Sequence, residues 1–167
     1  MRTFGLKMHT IYHPTPIGVA RISEEDGFIC SVKIMDIADG RDQVPTPLLQ
    51  RAALQLDEYF AGERKVFDFP IKQPGSAFQQ EVWDCLLTIG YGKTISYLQQ
   101  SKQMNNPLAI RAIASSNGKN DLAIIVPCHR VIGLDGSLTG YAGGLWRKKW
   151  LLEHEAKVLG VGQTKLF

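Results

Sequence analysis

The chain has 167 residues, 44% hydrophobic and 21% charged, with a formal net charge of +3, enough for one ordinary domain or two small ones sharing a core. No stretch approaches the roughly 18 apolar residues of a membrane span, and the opening MRTFGLKMHT lacks the apolar core of a secretory signal. The three cysteines, Cys30, Cys85 and Cys128, are far apart and odd in number; they suit a reducing cytoplasm better than a disulfide framework.

Charge is unevenly spread. Residues 1–75 carry nine Lys/Arg against ten Asp/Glu, whereas 76–167 carry ten against six. A basic second half is compatible with a polyanionic partner. No C-x-x-C or His/Cys cluster has zinc-site spacing, so no metal is expected.

The first third predicts a small antiparallel sheet. Short strands over Met8–Tyr12 and Val19–Ser23 are punctuated by Pro14, Pro16 and Gly18. E-E-D-G at 24–27 is a turn, and Phe28, Cys30, Val32 and Ile34 alternate onto one face. That places Cys30 in a core. A helix follows from Thr46, a suitable N-cap, through Pro47 at the first helical position to a stop at Gly62. Leu49, Ala52, Leu56, Tyr59 and Phe60 form its apolar stripe. Residues 63–75, with Pro70, Pro74 and Gly75, connect the halves, giving predicted domains of 1–75 and 76–167.

The second domain opens on a capping box, Ser76 with Gln79. Phe78, Val82, Cys85, Leu86 and Ile89 then repeat at helical spacing, which puts Cys85 on a buried stripe as inert core. Two short helical segments follow. The first covers about Ser96–Gln103, and the second starts at N-N-P, with Asn106 as cap and Pro107 first, and ends near Gly118. The pair fits a helix-turn-helix or an ordinary helical hairpin. Along the second segment Arg111, Ala114, Ser115 and Gly118 share a face of small residues around one long cation. Such a face admits close backbone approach to a groove, or to another helix.

The apolar run Leu122–Val126 reads as a strand that stops at Pro127 before Cys128, His129 and Arg130. Most buried cysteines are inert, but a neighbouring imidazole and guanidinium both favour the thiolate, which is the nucleophile. Over residues 145–159 a helix carries Leu151, Leu152, Glu155, Val158 and Leu159 on one stripe. A carboxylate there either reaches out to water or needs a partner. An imidazole is a suitable one, and a Cys–His–Glu relay follows.

P-C-H-R-V, with N-G-K-N upstream and G-Y-A-G-G followed by W-L-L-E-H-E, resembles the O6-alkylguanine-DNA alkyltransferase family. I-S-Y at 95–97, R-A-I at 111–113, P-T-P-I-G and D-E-Y-F-A-G extend the likeness over nearly the whole chain. The resemblance implies a mixed α+β fold. An N-terminal RNase-H-like antiparallel sheet with a helix would precede a mostly helical domain of winged-helix or helix-turn-helix type. It implies direct, irreversible alkyl transfer from O6 of guanine, and less surely O4 of thymine, in duplex DNA. The second domain would bind the minor groove and flip the base. By matching position Cys128 would accept the alkyl group, His129 would deprotonate it through a bridging water, and Glu155 would hold His129. Asn120 would brace the turn into the active site. Arg111 would take the place of the flipped nucleotide, with Asn106, Ser115 and Gly118 on the DNA-binding surface. Tyr97 would act at the phosphate and the extruded base, and Tyr141, Ala142 and Gly143 would form the pocket loop. No cofactor and no obligate protein partner are implied, and the protein would act as a monomer in the cytoplasm.

The sequence departs from the family pattern at two positions. Asp121 stands where Pro is common, which predicts weaker or more salt-sensitive DNA binding. Ala142 stands where some relatives have Ser, so a backbone N–H must donate to O6. The N-terminal half lacks the Cys/His ligands that give some relatives zinc. Two other functions compete: a lesion-binding protein without transfer, against which Cys128, His129, Glu155 and Tyr97 argue together, and a cysteine hydrolase, whose catalytic pair usually comes from distant chain positions.

Overall fold

The protein is described here by a computed structural model covering residues 7–160. Residues 1–6, on which the signal-sequence reading partly rests, and 161–167 lie outside the described part. Two compact units emerge. One runs through Pro74 and takes in Asp121–Ile125; the other comprises Gly75–Asn120 and Val126 onward.

In the first unit β1 (Met8–Thr15), β2 (Gly18–Glu25) and β3 (Phe28–Met35) form an antiparallel sheet in the order β1-β2-β3. The strands run further than their punctuation suggests, because β1 is an edge strand and an edge tolerates Pro14. The alternation expected in β3 does not hold. Ser23 pairs with Ser31 but Glu24 pairs with Ile29, so Cys30 is the extra residue of a bulge. The bulge shifts the side-chain period by one. Ile29, Val32 and Ile34 are buried as a result, and Phe28 and Cys30 are left half-buried.

α1 (Pro47–Phe60) starts as its sequence predicts: the Thr46 hydroxyl accepts the Leu49 N–H at 3.1 Å, and Pro47 supplies no orphan donor. It stops at Ala61, followed by Gly62 at φ +80°, where a Cβ would be strained. Leu49, Ala52, Leu56 and Tyr59 are fully buried, and α1 packs on β1, β2 and β3.

The run Leu122–Val126 is not a strand. It makes one parallel bridge, Leu122 to Val32, framed by Val32 N–H to Asp121 O at 2.8 Å and Ala123 N–H to Val32 O at 3.0 Å. The chain then turns, with Ile124 at φ +72°. Leu122, Ile124, Ile125 and Val126 are all buried, so the apolar run reports burial and not an extended backbone.

In the second unit α2 (Ala77–Leu86) begins on the reciprocal Ser76–Gln79 capping box and buries Val82, Trp83 and Leu86. Cys85 is half-buried, its Sγ 3.6 Å from Gln103 Oε1, so it lies at the margin of the stripe and not in the core. β4 (Ile95–Ser96) pairs in parallel with β5 (Val131–Ile132). α3 (Tyr97–Gln103) starts on a second capping box, Ser96 with Gln99. It packs on α4 (Ile110–Gly118), where the Gln100 and Asn117 amides exchange hydrogen bonds at 2.8 and 3.1 Å.

The cap expected at Asn106 is absent. α4 begins at Ile110 behind Ala109, with no side-chain cap. Asn106 instead closes α3, its N–H donating to Ser101 O at 2.9 Å after Asn105 at φ +56°. An asparagine tolerates the left-handed region where a helix must end. α5 (Leu145–Val158) follows Gly144 at φ +95°.

Candidate active site and nucleic-acid face

Cys128 opens a single 3-10 turn, Cys128–Arg130, placed between the buried Val126 and β5. The turn aims consecutive side chains in different directions. That is why a thiol, an imidazole and a guanidinium in sequence can enter one cluster. His129 is fully buried, and its Nε2 lies 2.7 Å from Glu155 Oε2. Glu155, also fully buried on α5, accepts Arg130 Nε at 2.9 Å on Oε1, Arg130 Nη2 at 3.0 Å on Oε2, and the Gly92 N–H at 3.0 Å on Oε1. Arg130 also donates to Ile89 O at 2.7 Å. The carboxylate is thus partnered and does not reach to water.

These contacts fix the charge states. Burial alone would raise the Glu155 carboxyl, but His129 and Arg130 together hold it well below the usual carboxylate range. An ionised carboxylate only accepts, so His129 Nε2 carries its proton towards Glu155. Burial lowers the imidazole below its ordinary value against the pull of Glu155, and the Arg130 and Lys148 charges push the same way as burial. His129 is therefore neutral at pH 7, and Nδ1, buried without a protein hydrogen-bond partner, keeps a free lone pair. A neutral imidazole in this tautomer is a base.

Asn120, at the end of α4, donates from Nδ2 to Val126 O at 2.8 Å and to Cys128 Sγ at 3.4 Å. Burial pushes the Cys128 thiol up, opposed by the Asn120 donor and the Lys148 charge. No hydrogen bond joins the Cys128 and His129 side chains among the described residues. The direct thiol–imidazole contact of a cysteine hydrolase is not formed.

The Tyr97 hydroxyl donates to Thr139 O at 3.3 Å and lies 3.4 Å from Thr139 Oγ1. Tyr141 presents a buried hydroxyl with no hydrogen-bond partner, and burial keeps it protonated well above the ordinary phenol range. Ala142 is exposed. Gly143 leaves no comfortable room for a side chain: a Cβ would meet Tyr141 Cε2 at 3.1 Å and Arg147 Cδ at 3.4 Å. Its carbonyl accepts Arg147 Nη1 at 2.8 Å.

Arg111, Ala112, Ser115 and Gly118 are exposed on α4, opposite the buried Ile113, Ser116 and Asn117. A Cβ at Gly118 would meet nothing within 4 Å, so the missing side chain leaves open space outside the protein. Ala114 is half-buried, and Asn106 is exposed in the turn before α4. Cys128, His129, Glu155 and Asn120 thus form one bonded cluster. Arg111, Ser115, Gly118 and Asn106 stand apart on a face with no bond to it among the described residues.

Sequence reasoning missed two groups. Arg130 was read as an activator of the thiol but belongs to Glu155. Lys148 went unnoticed, although a lysine among Trp, Leu and Leu on an otherwise amphipathic helix is an available signal. It is fully buried. Asp121 forms no part of the cluster: its N–H donates to Gln73 Oε1 at 2.8 Å and its carboxylate lies 3.4 Å from Lys33 Nζ. Proline could not make the first of these bonds.

Comparison with known proteins agrees with this geometry. Residues 77–157 match the family model "6-O-methylguanine DNA methyltransferase, DNA binding domain", and residues 8–73 the companion "ribonuclease-like domain". The constitutive methylated-DNA–protein-cysteine methyltransferase of Bacillus subtilis is 45% identical over 137 residues, 77% of this chain and 83% of that protein. A methylated-DNA–protein-cysteine methyltransferase of Methanosarcina acetivorans is 40% identical over 157 residues, 89% of this chain and 98% of its own. The crystal structure of Mycobacterium tuberculosis O6-methylguanine methyltransferase superposes with a TM-score of 0.83 at 38% identity, covering 96% of this chain and 98% of that one. The Mycobacterium tuberculosis protein in complex with DNA gives 0.82 at 42% identity, over 90% and 94% of the two chains.

Proposed function

The chain belongs to the 6-O-methylguanine DNA methyltransferase family, and from that premise we propose that it moves the alkyl group from O6 of guanine in duplex DNA onto Sγ of Cys128, once per molecule. DNA repair by alkyl transfer to a protein cysteine is the activity of the family. The assignment of its parts to residues of this chain rests on the Cys128 cluster.

The observation that carries the reading is the buried His129–Glu155 pair. With Nε2–H committed to Glu155 at 2.7 Å, His129 Nδ1 is a lone-pair acceptor one residue from the thiol. His129 takes the thiol proton through a bridging water. The sulfur pair forms the S–C bond as the C–O6 bond breaks, and its electrons leave with guanine, which the proton then neutralises. Glu155 stabilises the transient imidazolium, as Arg130 keeps the carboxylate ionised. The thioether has no hydrolytic exit, so the nucleophile is spent, and no step requires a cofactor.

A stacked base cannot reach Cys128, so the nucleotide turns out of the helix at a cost of a few kcal/mol. α4 lies in the minor groove, where Ser115, Gly118 and the exposed small face permit close approach, and Arg111 fills the vacated stack. Asn106 sits at the phosphate-facing turn. The Tyr97 hydroxyl exchanges Thr139 for the extruded base. Tyr141 and Gly143 wall the pocket, and the Ala142 N–H, with no hydroxyl beside it, donates to O6. The chemistry is assigned to domain 76–167, with 1–75 as its companion, acting as a cytosolic monomer. O4-alkylthymine is a secondary substrate.

Intact-protein mass after mixing with a duplex bearing one O6-methylguanine tests this directly, with Cys128→Ala as control. One added methyl on the wild type alone, stopping at one, is the expected result. Tight binding with no mass gain makes the chain a lesion sensor, and neither binding nor gain removes the reading.

A further inference from the structure

α5 buries a second charge besides Glu155, and nothing in the relay uses it. Lys148 is fully buried. Its Nζ donates to Thr139 O at 2.9 Å and stands 5.8 Å from the centre of the Tyr97 ring. A backbone carbonyl and the face of a phenol are weak compensation for an ammonium out of water. Among the described residues no carboxylate forms a salt bridge with it.

The remaining charges of the cluster balance without it. Arg130 and Glu155 cancel as a bonded pair, and His129 is neutral. Lys148 is therefore the uncompensated positive charge of the site. The group able to supply the missing negative charge is Cys128, which interacts electrostatically with Lys148 from the 3-10 turn.

We propose that Lys148 is a positioning residue for the transfer reaction, the buried ammonium against which the Cys128 thiolate forms, held in place by the Thr139 carbonyl and the Tyr97 ring. The proposal rests on the transfer reading above. Resting protein then has a thiol, a neutral imidazole and a surplus ammonium; loss of the thiol proton makes the site electrically neutral. Thr139 O accepts from both Lys148 Nζ and the Tyr97 hydroxyl, so the loop that receives the base also sets where this charge lies.

Burial brings Lys148 down to about 8, and the partial thiolate character of Cys128 works in the opposite direction. The groups facing it are Cys128 and His129 from the 3-10 turn and Tyr97 from α3. Tyr141 reaches Cys128 from the pocket loop and Arg147 is its neighbour on α5. The ammonium also pushes His129 towards its neutral form, so one charge assists acid and base together.

The test uses the whole chain with Lys148→Met, which removes the charge, and Lys148→Gln, which removes the charge but keeps a donor for Thr139. Cys128 ionisation is followed without DNA by thiolate absorbance near 240 nm, subtracting the same titration of Cys128→Ser in each background. Transfer to an O6-methylguanine duplex is followed between pH 6 and 9. Both variants should raise the Cys128 titration by about one unit and slow transfer about tenfold at pH 7, the deficit shrinking as pH rises. Lys148→Arg should recover part of both.

An unchanged thiol titration in the Met and Gln variants overturns the proposal. So does a slowing that is uniform across pH and repaired by Gln, which would make Lys148 a tether and nothing more. If the wild type ionises at Cys128 as described yet never gains a methyl, the transfer reading fails, and the effect of Lys148 on the thiol is still read from the titration.

Discussion

Replacing Glu155 by Gln should separate the two things this carboxylate does. Glu155 accepts four hydrogen bonds: from His129 Nε2 at 2.7 Å, from two Arg130 nitrogens at 2.9 and 3.0 Å, and from the Gly92 N–H at 3.0 Å. A carboxamide has one acceptor oxygen and no charge. It cannot serve both Arg130 and His129, and it leaves Arg130 as a buried cation without its anion. Breaking a buried ion pair in this way costs about 3–5 kcal/mol. The catalytic effect has another origin. An amide N–H facing His129 Nε2 drives the imidazole proton to Nδ1, where the base lone pair must be, and loss of a general base slows a reaction about 10²–10⁴-fold.

Urea unfolding at pH 7 and single-turnover transfer followed by intact mass read the two effects. Adding Arg130→Met to Glu155→Gln removes the lone cation, so the double variant should regain stability while remaining slow. Glu155→Gln transferring within about threefold of wild type would refute the tautomer argument. A double variant no more stable than the single would refute the charge argument. The pH dependence follows from the sign of the shift: the folded-state carboxyl lies below its unfolded value, so its stabilisation is complete above the ordinary carboxylate range and disappears in strong acid.

Lys148 shows the opposite balance. Its folded value of about 8 lies below the usual 10.5, so the unfolded chain binds more protons between these values. Burial then costs about 3 kcal/mol below pH 8, relieved as pH rises towards 10.5; Lys148→Met should be more stable than wild type in urea at pH 7 and lose most of that advantage by pH 10, while transferring more slowly. Arg111→Ala should slow transfer from duplex DNA at least tenfold, yet leave reaction with free O6-benzylguanine base within about twofold, because a free base needs no extrusion; equal losses on both substrates would assign Arg111 to the pocket. Asp121→Pro should destabilise the protein by about 1 kcal/mol in urea melts through loss of the N–H to Gln73 Oε1, and a variant as stable as wild type would mean that bond contributes nothing.

Much of this protein was legible before folding. Caps and helix stops are local: Thr46, Pro47 and Gly62 bracket α1, and Ser76 with Gln79 opens α2, because each satisfies backbone donors or dihedrals within a few residues of itself. The nucleophile and its relay were also readable, since a thiol beside an imidazole and a carboxylate on an apolar stripe each demand a chemical explanation. Tertiary structure alone decided the rest. The bulge at Cys30 depends on how β3 pairs with β2, so no alternation within β3 could reveal it. The run Leu122–Val126 is apolar because it is buried, and burial does not dictate an extended chain; Ile124 at φ +72° is held by its surroundings. Asn106 closes α3 and does not open α4 because Asn105 reaches the left-handed region first. Which cation meets Glu155, and which is left over for Cys128, depends on where α5 sets its side chains against the Cys128–Arg130 turn. Charges far apart in sequence interact through distance and dielectric, and folding sets both.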